Sequence, residues 1–173
     1  MKKTGLTILI LLLSLSLFAQ GEYRVGIVGL DTSHSIAFTK ELNGEDKKEP
    51  YTGFRVVAAY PYGSKTIESS YKRIPGYTEQ VKEMGVEIVS SIEELLEKAD
   101  YILLETNDGT VHLEQALEVF KHCDGKPVFI DKPIAATLAQ AIAIFQLAKE
   151  YNTPIFTSSG VRFTPKSQAL RKG

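Results

Sequence analysis

The chain has 173 residues, 43% hydrophobic and 24% charged, with a formal net charge of -1. That composition fits an ordinary globular protein long enough for one domain and its core. A near-neutral chain without long basic runs gives no electrostatic basis for binding nucleic acid, and a single cysteine, Cys123, excludes an intramolecular disulfide.

Residues 1–20 read as a secretory signal. Lys2 and Lys3 precede an apolar run from Leu6 to Phe18, and Ala19 offers a small residue for cleavage. The run is short for a bilayer span and lacks charges on its far side, so a cleaved Sec-type signal is favoured over an anchor. The domain is accordingly expected to be exported, periplasmic or secreted, with no membrane contact after cleavage.

From Tyr23 onward, β-rich runs alternate with helical patterns, which predicts an α/β fold: a doubly wound, mostly parallel Rossmann-like sheet over residues 22–161. The expected strands are Tyr23 to Gly29, Phe54 to Tyr60, Val86 to Val89, Tyr101 to Thr106, Pro127 to Asp131 and Pro154 to Ser158. Runs such as "YILLE" and "PVFI" suit strands buried on both faces. Ile92, Leu95, Leu96 and Ala99 share one helical face, as do Leu113, Ala116, Leu117 and Phe120. Ser91 with Glu94, and Thr137 with Gln140, have capping-box spacing. Leu138, Ala141, Ile142 and Phe145 are expected to form the core stripe of the helix after the second cap. Pro61 to Tyr77 reads as a long polar loop bordering a ligand, and a short helix is expected after Pro165. Cys123 lies at a helix end with no reactive motif around it, and reads as a small core residue.

The first strand runs into Gly29-Leu30-Asp31-Thr32-Ser33-His34. In a dinucleotide fingerprint three glycines make the tight turn, admit the pyrophosphate and let helix and strand pack. Here Gly29 fills the first place, Asp31 the second and His34 the third. Asp31, Thr32 or Ser33 would cap the following helix. A carboxylate at the second place would repel a phosphate by roughly 1 kcal/mol in water and about 4 at a protein surface, which predicts weak or displaced dinucleotide binding. At the end of the second strand, where a carboxylate would hold the ribose of NAD, stand Tyr60, Ser64 and Lys65. A hydroxyl and an ammonium there suit the 2'-phosphate of NADP, while Lys65 and Arg73 are equally readable as solvated loop charges. His34 and His122 have no partner at metal-ligand spacing, so no metal is expected.

The stretch from Thr106 to Pro165, with Asn107 and His112 after the fourth strand, Asp131-Lys132-Pro133 after the fifth and Arg162-Phe163 after the sixth, resembles the Gfo/Idh/MocA family, which includes glucose-fructose oxidoreductase and inositol dehydrogenase. The resemblance implies NADP or NAD as cofactor and a sugar or polyol as small-molecule substrate. It implies that Lys132 is the catalytic lysine between nicotinamide and substrate, with Asp131 where the family more often has glutamate. An ammonium there can polarise a hydroxyl or serve a proton relay, with Pro133 fixing its turn. Gly29, Asp31, Thr32, Ser33, His34, Tyr60, Ser64, Lys65, Thr106, Asn107, His112, Asp131 and Lys132 then line the cofactor site, His112 in a packing or loop role. Family members continue into a second domain that carries most substrate contacts, a catalytic histidine and the oligomer interface. Residues 162–173 are expected to begin the linker to it. Two functions stay open: an exported oxidoreductase represented by its nucleotide-binding domain, or a carbohydrate-binding module on the same fold that has lost the dinucleotide.

Overall fold

A computed structural model describes residues 21–171; the predicted signal segment lies outside these. Six strands, β1 (Tyr23–Val28), β2 (Phe54–Tyr60), β3 (Glu87–Ile88), β4 (Tyr101–Leu104), β5 (Val128–Ile130) and β6 (Ile155–Phe156), pair in the order β3-β2-β1-β4-β5-β6. Every pairing is parallel. Five crossovers carry α1 (Ser33–Asn43), α2 (Glu68–Tyr71) with α3 (Ile74–Glu83), α4 (Ile92–Lys98), α5 (His112–His122) and α6 (Leu138–Glu150). After β6 a short 3-10 turn, Gly160–Phe163, leads to α7 (Pro165–Arg171). The strand order reverses between β1 and β4, so the crossovers leave a crevice beyond the carboxyl ends of these strands, where such folds bind ligands. Among the described residues, no helix is long and apolar enough to cross a membrane.

Two apolar clusters flank the sheet. One joins Val28, Ile102, Leu104, Val128 and Ile130 to Leu95, Phe120 and Ile144 of α4, α5 and α6. The other joins Val25, Ile27, Val56 and Ala59 to Ile36 of α1 and Val81 of α3. Both expected N-caps form: Ser91 Oγ accepts from Glu94 N at 3.1 Å, and Thr137 Oγ1 from Gln140 N at 3.2 Å. Glu94 reaches back one residue further and accepts from Ser90 N and Ser90 Oγ, just ahead of the cap. Cys123 is buried beside Thr153.

Two expectations need correction. Leu138, Ile142 and Phe145 lie outside, at 77%, 49% and 51% exposure, while Ile144 and Ala148 face the sheet. The sequence "LAQAIAIFQLA" is apolar nearly all round, so two helical stripes fit the same period and periodicity alone cannot choose between them. The segment from Pro61 to Tyr77 is not one long loop, since α2 and the first turn of α3 lie within it. The four-residue α2 is too short to show a period, and the stripe of α3, Ile74, Tyr77, Val81 and Met84, begins inside the segment and runs on beyond it. At the tail, Val161, Phe163 and Leu170 are 69%, 65% and 77% exposed.

Candidate functional site at the carboxyl edge

The turn after β1 requires glycine at its first place. Gly29 has φ +106, and a Cβ there would lie 2.6 Å from Thr106 Oγ1 and 2.7 Å from Thr106 N. A side chain would meet both a disfavoured backbone conformation and the start of the loop after β4. Ser35 Oγ donates to Gly29 O at 3.0 Å and pins the turn from inside α1. The cap is Thr32, whose hydroxyl accepts from His34 N at 2.9 Å. Ser33 is exposed and the first turn of α1 holds no acidic residue, so the positive end of the helix dipole faces the crevice.

Asp31 neither caps α1 nor points at an incoming phosphate. Its side chain is sealed inside, where Oδ2 accepts from Ser64 N and Oδ1 from Asn107 N, both at 2.9 Å. Burial pushes its carboxyl above the ordinary range, against the two amide bonds, which favour the charged form. The residue ties the loops after β2 and β4 to the β1 turn. Gly63 makes room for it, since a Cβ at that position would sit 2.8 Å from the carboxylate. The repulsion expected from sequence assumed a carboxylate free at the helix end, and this one is committed to two amides.

Ser64 belongs to the same clamp. Its hydroxyl donates to Asp108 Oδ2 at 2.6 Å and accepts from Ile67 N at 3.0 Å, which starts α2. Partial burial raises the Asp108 carboxyl, but hydrogen bonds from Ser64 and Thr110 outweigh this and hold it below the ordinary range. Asn107 donates through Nδ2 to Ser70 Oγ at 3.0 Å. Ser64 is buried and turned inward, whereas Lys65 is exposed, its ammonium 5.5 Å from the centre of the Tyr62 ring. Tyr60, half-buried, meets the Tyr62 ring at a tilt of 41° with ring centres 6.0 Å apart. Arg73 is exposed beyond α2.

Under the loop after β4, Thr106 and His112 are fully buried. His112 Nε2 lies 2.8 Å from Thr106 O, and Nδ1 lies 3.2 Å from Ile134 O. Thr106 Oγ1 accepts from Gln115 Nε2 at 2.8 Å. His112 thus joins the β4 loop to the β5 loop and does not face solvent.

Beyond β5, Lys132 is exposed and Asp131 is buried. Asp131 Oδ1 accepts from Lys132 N, and Oδ2 meets His34 Nδ1, both at 2.7 Å. Glu105, fully buried at the end of β4, points to the same place with Oε2 4.0 Å from His34 Nδ1. Neither Glu105 carboxylate oxygen has a hydrogen-bond partner. Burial drives its carboxyl well above the ordinary range, with the Asp131 charge adding and Lys132 opposing. The fold therefore brings His34 and Asp131 into contact, with Glu105 beneath them, while Ser33, Lys65 and Lys132 are exposed on the segments that follow β1, β2 and β5. Asp31, Ser64, Thr106, Asn107 and His112 lie behind as scaffolding.

The profile of an oxidoreductase family, NAD-binding Rossmann fold, matches residues 23–158. The chain belongs to the Gfo/Idh/MocA family. Members of this family bind NAD(P), and the match covers the sheet and all five crossovers of the Gfo/Idh/MocA domain described above. Solved structures share its fold. WlbA dehydrogenase from Bordetella pertussis, in complex with NADH and UDP-GlcNAcA, superposes with a TM-score of 0.64 at 19% identity over 87% of this chain and 41% of its own. Biliverdin reductase from Synechocystis, in complex with biliverdin and NADP+, gives 0.60 at 22% identity over 87% and 42%. The MviM dehydrogenase from Clostridium difficile gives 0.62 at 22% identity over 87% and 44%. The chain thus spans about two fifths of the length of the solved structures it matches. No curated protein matches it. Within this Gfo/Idh/MocA domain, Glu105 is the crevice residue that sequence reasoning missed. The signal for it was a charged residue directly following the doubly buried run "YILL".

Proposed function

We propose that the domain binds NAD(P) along the crevice between β1 and β4, as the cofactor-binding part of an exported oxidoreductase acting on a sugar or polyol. The observation that carries this reading is the N-terminus of α1 beyond Gly29, where Asp31 is turned away into its clamp and Asp131 is engaged by His34. The pyrophosphate would meet the helix end and the exposed Ser33 hydroxyl. Lys65, exposed at the β2 loop, supplies a cation for a 2'-phosphate and favours NADP over NAD. Lys132 stands on the β5 side, where an ammonium can hold or pass a proton at a substrate hydroxyl. The bound nicotinamide would supply hydride transfer. In the whole enzyme a second domain, reached through residues 162–173, would supply the remaining substrate contacts and the oligomer interface.

A second reading keeps the crevice but not the dinucleotide. It is favoured by His34, whose ring stands where the third glycine of a fingerprint would let helix and cofactor approach, and which is held there by Asp131. In that case the crevice takes a neutral hydroxylated ligand. Calorimetric titration with NADPH, NADH and a panel of sugars separates the two. Micromolar binding of NADPH supports the first reading, and sugar binding with neither nucleotide bound at millimolar concentration refutes it.

A further inference from the structure

We infer that His34, Glu105 and Asp131 form a binding site for a divalent first-row transition-metal ion. This is independent of the dinucleotide reading. The three residues come from three different elements, the first turn of α1 and the ends of β4 and β5, yet their ligand atoms all lie within 4.8 Å of one another. One imidazole nitrogen and two carboxylates make a mixed N/O donor set of the kind that suits Zn2+ or Mn2+.

Glu105 points to the ligand by itself. It is fully buried at the end of a central strand, and both of its oxygens lack a hydrogen-bond partner. Native interiors rarely leave a carboxylate in that state, because desolvation is costly unless an ion or a donor compensates it. The nearby imidazole does not supply the missing bond, since His34 Nδ1 is engaged with Asp131 at 2.7 Å and stands 4.0 Å from Glu105 Oε2. A cation between the three would satisfy both carboxylates at once.

The geometry needs side-chain adjustment only. Metal bonds of about 2.0 to 2.2 Å place tetrahedral ligand atoms roughly 3.3 to 3.6 Å apart. The 2.7 Å contact would open and the 4.0 Å contact would close, each by under an ångström, and the third edge, between Glu105 and Asp131 within 4.8 Å, would close by up to about 1.5 Å through side-chain rotation. Coordination replaces the His34–Asp131 hydrogen bond, and the imidazole proton moves to Nε2, which leaves a neutral ring as ligand. Asp131 Oδ1 stays on Lys132 N and orients the carboxylate from behind. His34 is 39% exposed, so an ion can enter from the crevice and keep an open coordination position towards it.

The test is calorimetric titration of the chelator-treated protein with Zn2+ alone and with Mn2+ alone, followed by thermal melts. Expected is one Zn2+ or Mn2+ per chain, a melting temperature raised by that metal, and an affinity at least tenfold weaker in Glu105→Gln and in His34→Gln. His122→Ala, which changes an exposed histidine on the far end of α5, should bind as the wild type does. Glu105→Gln keeps the side-chain volume and removes the carboxylate that would ligate the ion. If that variant nevertheless fails to fold, the partly exposed His34→Gln decides. No binding by the wild type, or binding equally strong in the folded His34 or Glu105 variants, overturns the site. So does loss of binding in His122→Ala.

Discussion

Replacing Asp31 should destabilise the domain far more than losing a helix cap would. Its carboxylate is fully buried and accepts one amide from each of two loops, Ser64 N and Asn107 N, at 2.9 Å. Alanine at this position leaves both donors without partners, and a buried donor stripped of its partner costs about 1 to 3 kcal/mol. The Ser64 amide is wholly enclosed and the Asn107 amide partly so, which places Asp31→Ala at about 3 to 5 kcal/mol. Asp31→Asn keeps one acceptor but turns an NH2 group toward the second amide, so about half that loss is expected. For a domain of this size each kcal/mol lowers the melting temperature by roughly 2 to 4 °C. Urea denaturation measures the loss directly, and amide exchange should show Ser64 and Asn107 losing protection ahead of the central strands. An Asp31→Ala variant within about 0.5 kcal/mol of wild type, the range of ordinary surface changes, would refute the clamp. So would a wild type whose Ser64 amide exchanges freely.

The same residue sets a pH dependence. Because burial raises the Asp31 carboxyl, the folded state holds this proton to a higher pH than the unfolded chain does, and the associated stability is lost as pH rises from about 4 through the raised value. The stability advantage of wild type over Asp31→Asn should therefore shrink across that window in urea titrations, and an advantage that grows there contradicts it. Gly29→Ala should cost roughly 2 to 5 kcal/mol, combining the positive φ with the collision at Thr106, and a melt unchanged from wild type would rule out the close turn. Lys65→Ala should weaken NADPH binding about three- to fivefold with little change for NADH, as an exposed charge contact implies, and equal losses for both would remove Lys65 from the 2'-phosphate. Amides from Arg162 to Arg171 should exchange rapidly, in keeping with the exposed Val161, Phe163 and Leu170, and protection equal to that of β1 would contradict it.

The six strands were legible because "YILL", "PVFI" and "RVVAAY" are apolar on both faces, which no surface helix of similar length would be. The stripe of α4 was equally plain, while that of α5 was read one step round: Ala116 and Phe120 are buried as expected, but Gln115 and Val119 are buried beside them and Leu113 and Leu117 only half so. The face of α6 was not legible, because its residues are apolar on nearly every side, and a period without a polar face has no phase. The role of Asp31 was hidden for another reason. Its partners are backbone amides of Ser64 and Asn107, and a backbone donor leaves no mark in the sequence. The His34, Glu105 and Asp131 group was also hidden, since His34 and Asp131 stand 97 residues apart and meet only through the order of the sheet. What could be read locally was the turn at Gly29 and the lysine after β5; what depended on crossovers could not.

The outermost strands, Glu87–Ile88 and Ile155–Phe156, are each two residues long. A sheet whose borders offer so few open amides and carbonyls gives a foreign strand almost nothing to extend. Among the described residues, stickiness therefore lies in exposed side chains, chiefly the outer stripe of α6 with Leu138, Ile142 and Phe145, Phe156 of the last strand, and Val161, Phe163 and Leu170 of the tail. Contacts made there are apolar and lack the ladder of backbone bonds that makes fibrils permanent. Self-association of concentrated samples should accordingly be amorphous and reversed by mild detergent, without the cross-β signature.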